Sequence, residues 1–242
     1  MEGITLSKET LRRVISDIKH IIKNPLTENG IFYKHDESNI LRGYVLIIPT
    51  NESPYQYGNY LFIVDFPSNY PFAPPKLTFM TNNGTTRFHP NLYRNGKVCL
   101  SLLNTWKGDQ WTSCNTLTSV LMNILTLFNE DPFLNEPGIT VNHPEMEMYN
   151  QIIEYQNFNT TIFDMLFDDE FRNKLKMIEP YFREIMLENY HLNRDNIFKN
   201  IDKNIHNAYE KAQKVNMFFY KMDEFIDYQS LNNKFQIKLK VG

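Results

Sequence analysis

The sequence predicts an α+β domain built on an antiparallel sheet and followed by a helical C-terminal region. Three observations predict it: an amphipathic opening helix, a set of β-branched and aromatic runs joined by turn-rich connections, and strongly helical text after about residue 168. The chain has 242 residues, 42% hydrophobic and 14% aromatic, which supplies enough apolar material for a sizeable core. One large domain, or one domain plus an extension, fits that length.

Residues 7–23, "SKETLRRVISDIKHIIK", place Leu11, Val14, Ile15, Ile18 and Ile22 on one helical face, with Ser7 as N-cap and "NPL" as the stop. Three runs then read as strands: "YVLIIP" (44–49), "YLFIVDF" (60–66) and "KLTFM" (76–80). Their connections suit antiparallel neighbours. The turn "NYPFAPP" predicts a cis Tyr70–Pro71 bond. Residues 81–115 carry no sustained period, and long irregular segments in compact domains are usually functional. "TLTSVLMNILTLFN" (116–129) reads as a mostly buried helix, and another begins near "NHPEMEMYNQIIEY" with Pro144 at its start. Beyond these lies a helical extension expected to dock through Phe182, Phe198, Tyr209, Phe218, Phe219 and Phe225, too many large apolar groups for a solvated tail.

Charge and cysteine usage exclude several classes. The net charge is -3 with Lys and Arg scattered, so no basic field argues for nucleic acid. The start "MEGITLSKET" has no apolar h-region and no run approaches membrane length, so no membrane association is expected. Two cysteines, fifteen positions apart, make neither a disulfide framework nor a zinc box, and no metal is expected. A reducing compartment, cytoplasmic or nuclear, is the simplest reading.

Within the irregular segment, "FHPNLYRNGKVCLSLLNT" (88–105) runs a basic turn into Cys99. A free cysteine is commonly a small buried hydrophobe. Against that, Arg94 and Lys97 could favour the thiolate, and Asn95-Gly96 is a turn signal expected to lift the next residues toward the surface. Residue type and spacing leave a reactive and a buried thiol equally open. A Cys–His hydrolase is disfavoured: His89, ten residues upstream and beside Pro90, reads as a backbone-bonded structural histidine. His20, His35, His143, His191 and His206 form no protease signature.

These residues carry a resemblance. "YPFAPPKLTF" (70–79), "HPN" (89–91), "NGKVCLSLL" (95–103) and a Trp followed by an apolar helix resemble the ubiquitin-conjugating enzyme (E2) family, over roughly residues 7–168. "HPN" with Cys eight positions after the Asn is the specific core of the match. "FHPNLYRNGKVCLSLLNTWKGDQW" is most similar to larger E2s with an insertion after the active-site cysteine. The resemblance implies the family fold: an N-terminal helix, a four-stranded antiparallel meander, a long active-site loop and C-terminal helices. It implies a catalytic core over 1–168 and a helical extension over 169–242.

It also implies a chemistry. Cys99 would accept ubiquitin or a related modifier from an activating enzyme (E1) by thioester exchange and yield it to a lysine, usually with a ligase (E3). ATP would be consumed by the E1, so no cofactor is expected here. Exchange between thioesters is close to isoenergetic, so Cys99 would need access more than a base. Asn91 matches the motif asparagine, which either donates to the oxyanion of aminolysis or braces the loop. His89 and Pro90 match its structural residues. Glu136, in "NEPG", falls where many members have an Asp that positions the incoming lysine and helps remove its proton; alone it would be a helix-linker acid. Arg12 and Arg13 fall on the first helix, where the family contacts E1, and Phe72 and Ser113 fall at the E3 contact. Many members read "WSPA" where this chain reads "WTSC" (111–114), with Ser113 for Pro and Cys114 for Ala. That departure counts against ordinary RING-type ligases, as do the residues inserted around Trp106–Gln110. The sequence is compatible with two other readings: a catalytically inactive E2-like module that presents ubiquitin, and a C-terminal third that is itself a protein-interaction domain.

Overall fold

A computed structural model describes residues 6–207 and 211–241. Helix α1 (Lys8–Lys23) begins where Ser7 accepts a hydrogen bond from the Thr10 amide at 2.9 Å. Its buried face is Thr10, Val14, Asp17, Ile18 and Ile21, rotated from the one the apolar spacing predicts: Leu11 and Ile22 are exposed. The cause is Asp17, which turns inward to accept the Tyr70 hydroxyl and pairs with Arg13 at 3.1 Å.

Four strands follow: β1 (Ile31–His35), β2 (Arg42–Ile47), β3 (Tyr60–Asp65) and β4 (Lys76–Phe79), an antiparallel meander in chain order. The text of β1, "IFYKH", gave no separate strand signal. It is short, and only Ile31 of its five residues is buried. The Tyr70–Pro71 bond is cis, as expected. The indole of Trp111 donates to the Pro71 carbonyl at 2.7 Å, tying the turn after β3 to the segment before the next helix.

Helix α2 (Leu117–Leu125) opens on a capping box between Thr116 and Ser119 and buries Leu117, Val120, Leu121 and Ile124. Helix α3 (Met146–Gln156) continues as a π-helical stretch, Asn157–Asp164, and a last turn, α4 (Met165–Phe167). Polar side chains fasten this widened stretch to the sheet. Tyr60 donates to Asn157 Oδ1 at 2.6 Å, and Asn59 Nδ2 to the Thr161 carbonyl at 2.9 Å. A side chain at Gly58 would place its Cβ only 2.0 Å from Asn157 Oδ1, so glycine there permits the approach.

The extension holds α5 (Asp169–Lys174), α6 (Arg183–Asn207), a hairpin of β5 (Gln213–Met217) and β6 (Met222–Ile226), and α7 (Tyr228–Val241). The hairpin corrects the all-helical expectation. Val215 and Met217 alternate with exposed residues, as do Met222, Glu224 and Ile226, which is the two-residue period of a half-buried strand. Of the predicted docking aromatics, Phe182 is buried and Phe198 half-buried, while Phe218, Phe219 and Phe225 are exposed. Tyr209 lies outside the described residues. Docking is carried instead by Tyr190, Tyr228 and Phe235: Tyr228 meets Tyr155 edge-on at 5.2 Å, and Phe235 meets Phe163 at 5.0 Å. Among the described residues no helix is long and apolar enough to cross a membrane.

Candidate active site

The site grows from the end of β4. Phe79 donates its amide to the Gly96 carbonyl at 2.8 Å, and an isolated bridge joins Thr78 to Lys97. Gly96 has φ +85°, and a Cβ there would meet Phe79 O and Thr78 Cγ2 at 3.0 Å, so the turn needs glycine twice over. The chain therefore folds back along β4 and runs inward. Val98 and Cys99 follow, 2% and 1% exposed. The expectation that Asn95-Gly96 lifts Cys99 to the surface is corrected: the turn itself is at the surface, but its outgoing arm packs beside buried Leu92.

Asn91 and Cys99 hold each other. The Cys99 amide donates to the Asn91 carbonyl at 2.9 Å, and Asn91 Nδ2 donates to the Cys99 carbonyl at 2.7 Å. One amide hydrogen of Asn91 is thus spent on bracing, and a primary amide has two. After Cys99, Thr105 closes the loop by accepting the Leu100 amide at 2.9 Å. Asn104, at φ +55°, accepts the Trp111 amide at 2.9 Å. Of the residues inserted around Trp106–Gln110, 107–110 are exposed and Trp106 is half-buried.

His89 is fully buried, and its Nδ1 accepts the Asn91 amide at 3.0 Å. The bond is to backbone, the kind of partner its place beside Pro90 predicts. Burial, with the Arg87 guanidinium adding to it, pushes the imidazole down to about 3. Above about pH 6.5 neither folded nor unfolded chain protonates His89; below it only the unfolded chain does, so stability falls with acid at up to about 1.4 kcal/mol per pH unit. His89→Asn keeps an acceptor for the Asn91 amide and removes the titration. Denaturant unfolding between pH 7 and 5 is expected to show a steeper loss in the parent than in the variant; parallel curves would reject the assignment.

Arg87 cross-links the motif. Its Nε donates to the His89 carbonyl at 3.1 Å and its Nη2 to the Pro90 carbonyl at 2.5 Å, while its guanidinium stacks 3.3 Å from the Tyr93 ring centroid. The two cations before Cys99 are engaged by other groups. Arg94 Nη2 donates to the Tyr220 carbonyl at 2.7 Å, and Lys97 Nζ lies 5.4 Å from the Tyr93 centroid. Arg87, Tyr93, Arg94, Asn95 and Tyr220 line a cleft of about 270 Å³ between the motif and the hairpin.

Glu136 ends a short 3-10 turn (Pro132–Asn135) and is half-buried. Its Oε2 accepts a hydrogen bond from the Tyr220 hydroxyl at the hairpin tip. Sequence reasoning missed Tyr220, because it read this stretch as helix; the alternation in "KVNM" and "MDEFI" was the available signal. The remaining predicted positions divide. Arg12 is exposed, whereas Arg13 binds Asp17 and the carbonyls of Ser113 (2.7 Å) and Asn115. Phe72 is 66% exposed. Ser113 is also exposed, on the second of the two loops that the Trp111–Pro71 hydrogen bond joins. Cys114 is exposed, the reverse of Cys99. Among the described residues no group of three or more His, Cys, Asp or Glu could hold a metal ion.

A helix, an antiparallel meander, a cysteine-bearing loop braced by an asparagine and the helices behind it define a ubiquitin-conjugating fold. The family model for "Ubiquitin-conjugating enzyme" matches residues 13–162, and the chain belongs to that family. It is 38% identical over 168 residues to human "Ubiquitin-conjugating enzyme E2 Z", covering 68% of this chain and 47% of the relative. It is 35% identical over 205 residues to "Probable ubiquitin-conjugating enzyme protein 17" of Caenorhabditis elegans, covering 79% of this chain and 27% of that one. The human "Dual E2 ubiquitin-conjugating enzyme/E3 ubiquitin-protein ligase BIRC6" is 31% identical over 175 residues, which is 69% of this chain and 4% of BIRC6. The matches thus span about half or less of these relatives' length.

Proposed function

We propose that this chain is an active E2: it accepts ubiquitin or a ubiquitin-like modifier from an E1 as a thioester on Cys99 and passes it to a substrate lysine, with an E3 as partner. The observation that carries the reading is the reciprocal Asn91–Cys99 pair inside the family-matched region. In loading, the Cys99 sulfur attacks the thioester carbon presented by the E1. A C–S bond forms to Cys99, the bond to the E1 sulfur breaks, and the departing sulfur takes up the proton that Cys99 gives up, so no dedicated base or bound nucleotide is needed on this chain. In transfer, the lysine nitrogen attacks the same carbon, the C–S bond breaks, and Cys99 regains its thiolate. The proton shed by the nitrogen passes to the Glu136 carboxylate. Exchange into Cys99 requires the loop to open, because the residue is enclosed. A free catalytic thiol suits a reducing compartment, cytoplasmic or nuclear.

Incubation with E1, ATP and a panel of modifiers tests this: a reducible adduct is expected. Modifier binding without any adduct would favour an inactive presenting module. Asn91→Ala separates the two roles of the asparagine. Loss of its bond strands the buried Cys99 carbonyl, a cost of about 1–3 kcal/mol, so thermal stability, loading and discharge are all expected to fall. Normal loading with slow discharge alone would mean that Asn91 serves only the oxyanion.

A further inference from the structure

Tyr220 lies 84 residues beyond Glu136 in the chain, yet its hydroxyl ends on that carboxylate. It is held there from several sides. The Glu145 carboxylate accepts the amides of Phe218 and, at 3.1 Å, Phe219, which fixes the tip of the hairpin. Arg94 holds the Tyr220 carbonyl at 2.7 Å. The Tyr220 ring packs 5.7 Å from that of Phe133 and 5.8 Å from that of Tyr149, with the Arg87 guanidinium 5.4 Å from its centroid. Midway along the hairpin, buried Glu224 accepts Thr86 Oγ1 at 2.9 Å and Gln156 Nε2 at 2.8 Å. The hydroxyl is therefore aimed by the whole hairpin.

Burial, then the hydrogen bond to Glu136, pushes the Tyr220 phenol far above its ordinary range, so it stays protonated and donates throughout the physiological range.

We infer that Tyr220 is a positioning residue for lysine transfer: its hydroxyl clamps Glu136 Oε2 and so orients Oε1 to take the proton of the attacking amine. The inference rests on the reading of Glu136 as the group that assists the lysine. In that step N–C forms, C–S breaks with its electron pair going to Cys99, and one N–H proton moves to Oε1. A glutamate has three side-chain torsions, each with competing wells. Holding it in one rotamer turns an occasional productive geometry into the resident one. The C-terminal extension would on this account supply part of the catalytic site, and not only a buttress for it.

The test uses the full chain, loaded with modifier and freed of E1, in single-turnover discharge to a series of free-lysine concentrations. Parent, Tyr220→Phe, Glu136→Gln and the double variant are compared. Phenylalanine keeps the ring packing against Phe133, Tyr149 and Arg87, and thermal unfolding checks that the fold is kept. Tyr220→Phe is expected to load like the parent and to lose about 5–10-fold in the second-order discharge rate, the scale of a misoriented but present catalytic group. In the Glu136→Gln background the same change is expected to cost less than about 1.5-fold, because the two act as a unit. Parental discharge by Tyr220→Phe, or an undiminished loss in the Gln background, would overturn the inference. If Glu136→Gln is slow and Tyr220→Phe is not, the inference falls alone; if Glu136→Gln discharges normally, the reading of Glu136 falls with it. A parent chain that never loads would overturn the enzyme reading and this inference together.

Discussion

Cys99→Ala is expected to abolish modifier loading, and Cys114→Ala to leave it largely intact. The contrast is sharp because exposure points the other way: Cys114 is the exposed thiol and Cys99 is 1% exposed. A small alkylating reagent applied to the free protein is therefore expected to label Cys114 first. Loading should ignore that order, since a thiol accepts the modifier where the docked E1 presents it, and the loop bearing Cys99 lies in the family-matched region beside Asn91. Cys99→Ser should form a slower adduct that resists thiol reductants and yields to alkali, because oxygen is the weaker nucleophile and its ester does not exchange with thiols. The expected loss for Cys99→Ala is complete, since the sequence has one other thiol, Cys114, and it lies beyond the loop that Asn91 and Thr105 brace. A Cys99→Ala protein that still forms a reducible adduct would move the active site to Cys114.

The parts of the fold that were legible in the sequence are those where local pattern and tertiary environment agree. Strands β2, β3 and β4 read clearly because their β-branched and aromatic runs are bounded by turns, and α2 because its apolar positions recur at helical spacing. The face of α1 was misread because the buried Asp17 pairs with Tyr70 and Arg13, a tertiary arrangement that hydrophobic spacing does not encode. β1 was missed because most of its residues remain partly exposed. The hairpin was missed because Phe218, Phe219 and Phe225 look like a buried helical face, yet they are exposed while Val215, Met217, Met222 and Ile226 are buried. The enclosure of Cys99 was also hidden. It depends on how the Gly96 turn lies on β4, which a turn signal alone does not specify.

The candidate site divides along the same line. "HPN" and the cysteine eight residues on were visible because they form one short linear motif, and the structure brings them into one hydrogen-bonded unit. The stretch "TNNGTT" (81–86), at the start of the irregular segment, carries no pattern that names a partner. Its function in the fold appears once Glu224 is placed: Thr85 and Thr86 donate to that carboxylate, at 3.2 and 2.9 Å, and seat the hairpin that carries Tyr220. Contacts between residues 68 to 139 positions apart leave no local trace, so Glu224, Tyr220 and their partners had no signal within any window of the sequence.

A chain ending at Asp168 is expected to lose most of its stability, and to be poorly soluble. The extension covers rings that belong to the N-terminal part: Tyr181 stacks on Tyr44 at 5.0 Å, Tyr228 covers Tyr155, Tyr190 meets Phe167 at 5.4 Å, and Phe235 covers Phe163. Re-exposing each buried aromatic costs about 1.5–3 kcal/mol, and several together reach the roughly 5–15 kcal/mol by which a domain is stable at all. The cut also strands polar groups, since Gln156, Thr85 and Thr86 lose Glu224 and the Leu166 carbonyl loses Arg183 Nη2 at 3.0 Å. Phe235→Ala gives a graded version in the full chain. Phe235 is fully buried among Phe163, Tyr190 and Phe198, and its truncation is expected to cost about 3–5 kcal/mol. Thermal and denaturant unfolding measure both. A shortened chain that unfolds at the parental temperature would show that the extension packs weakly, and would leave the hairpin without the rigidity that aims Tyr220 at Glu136.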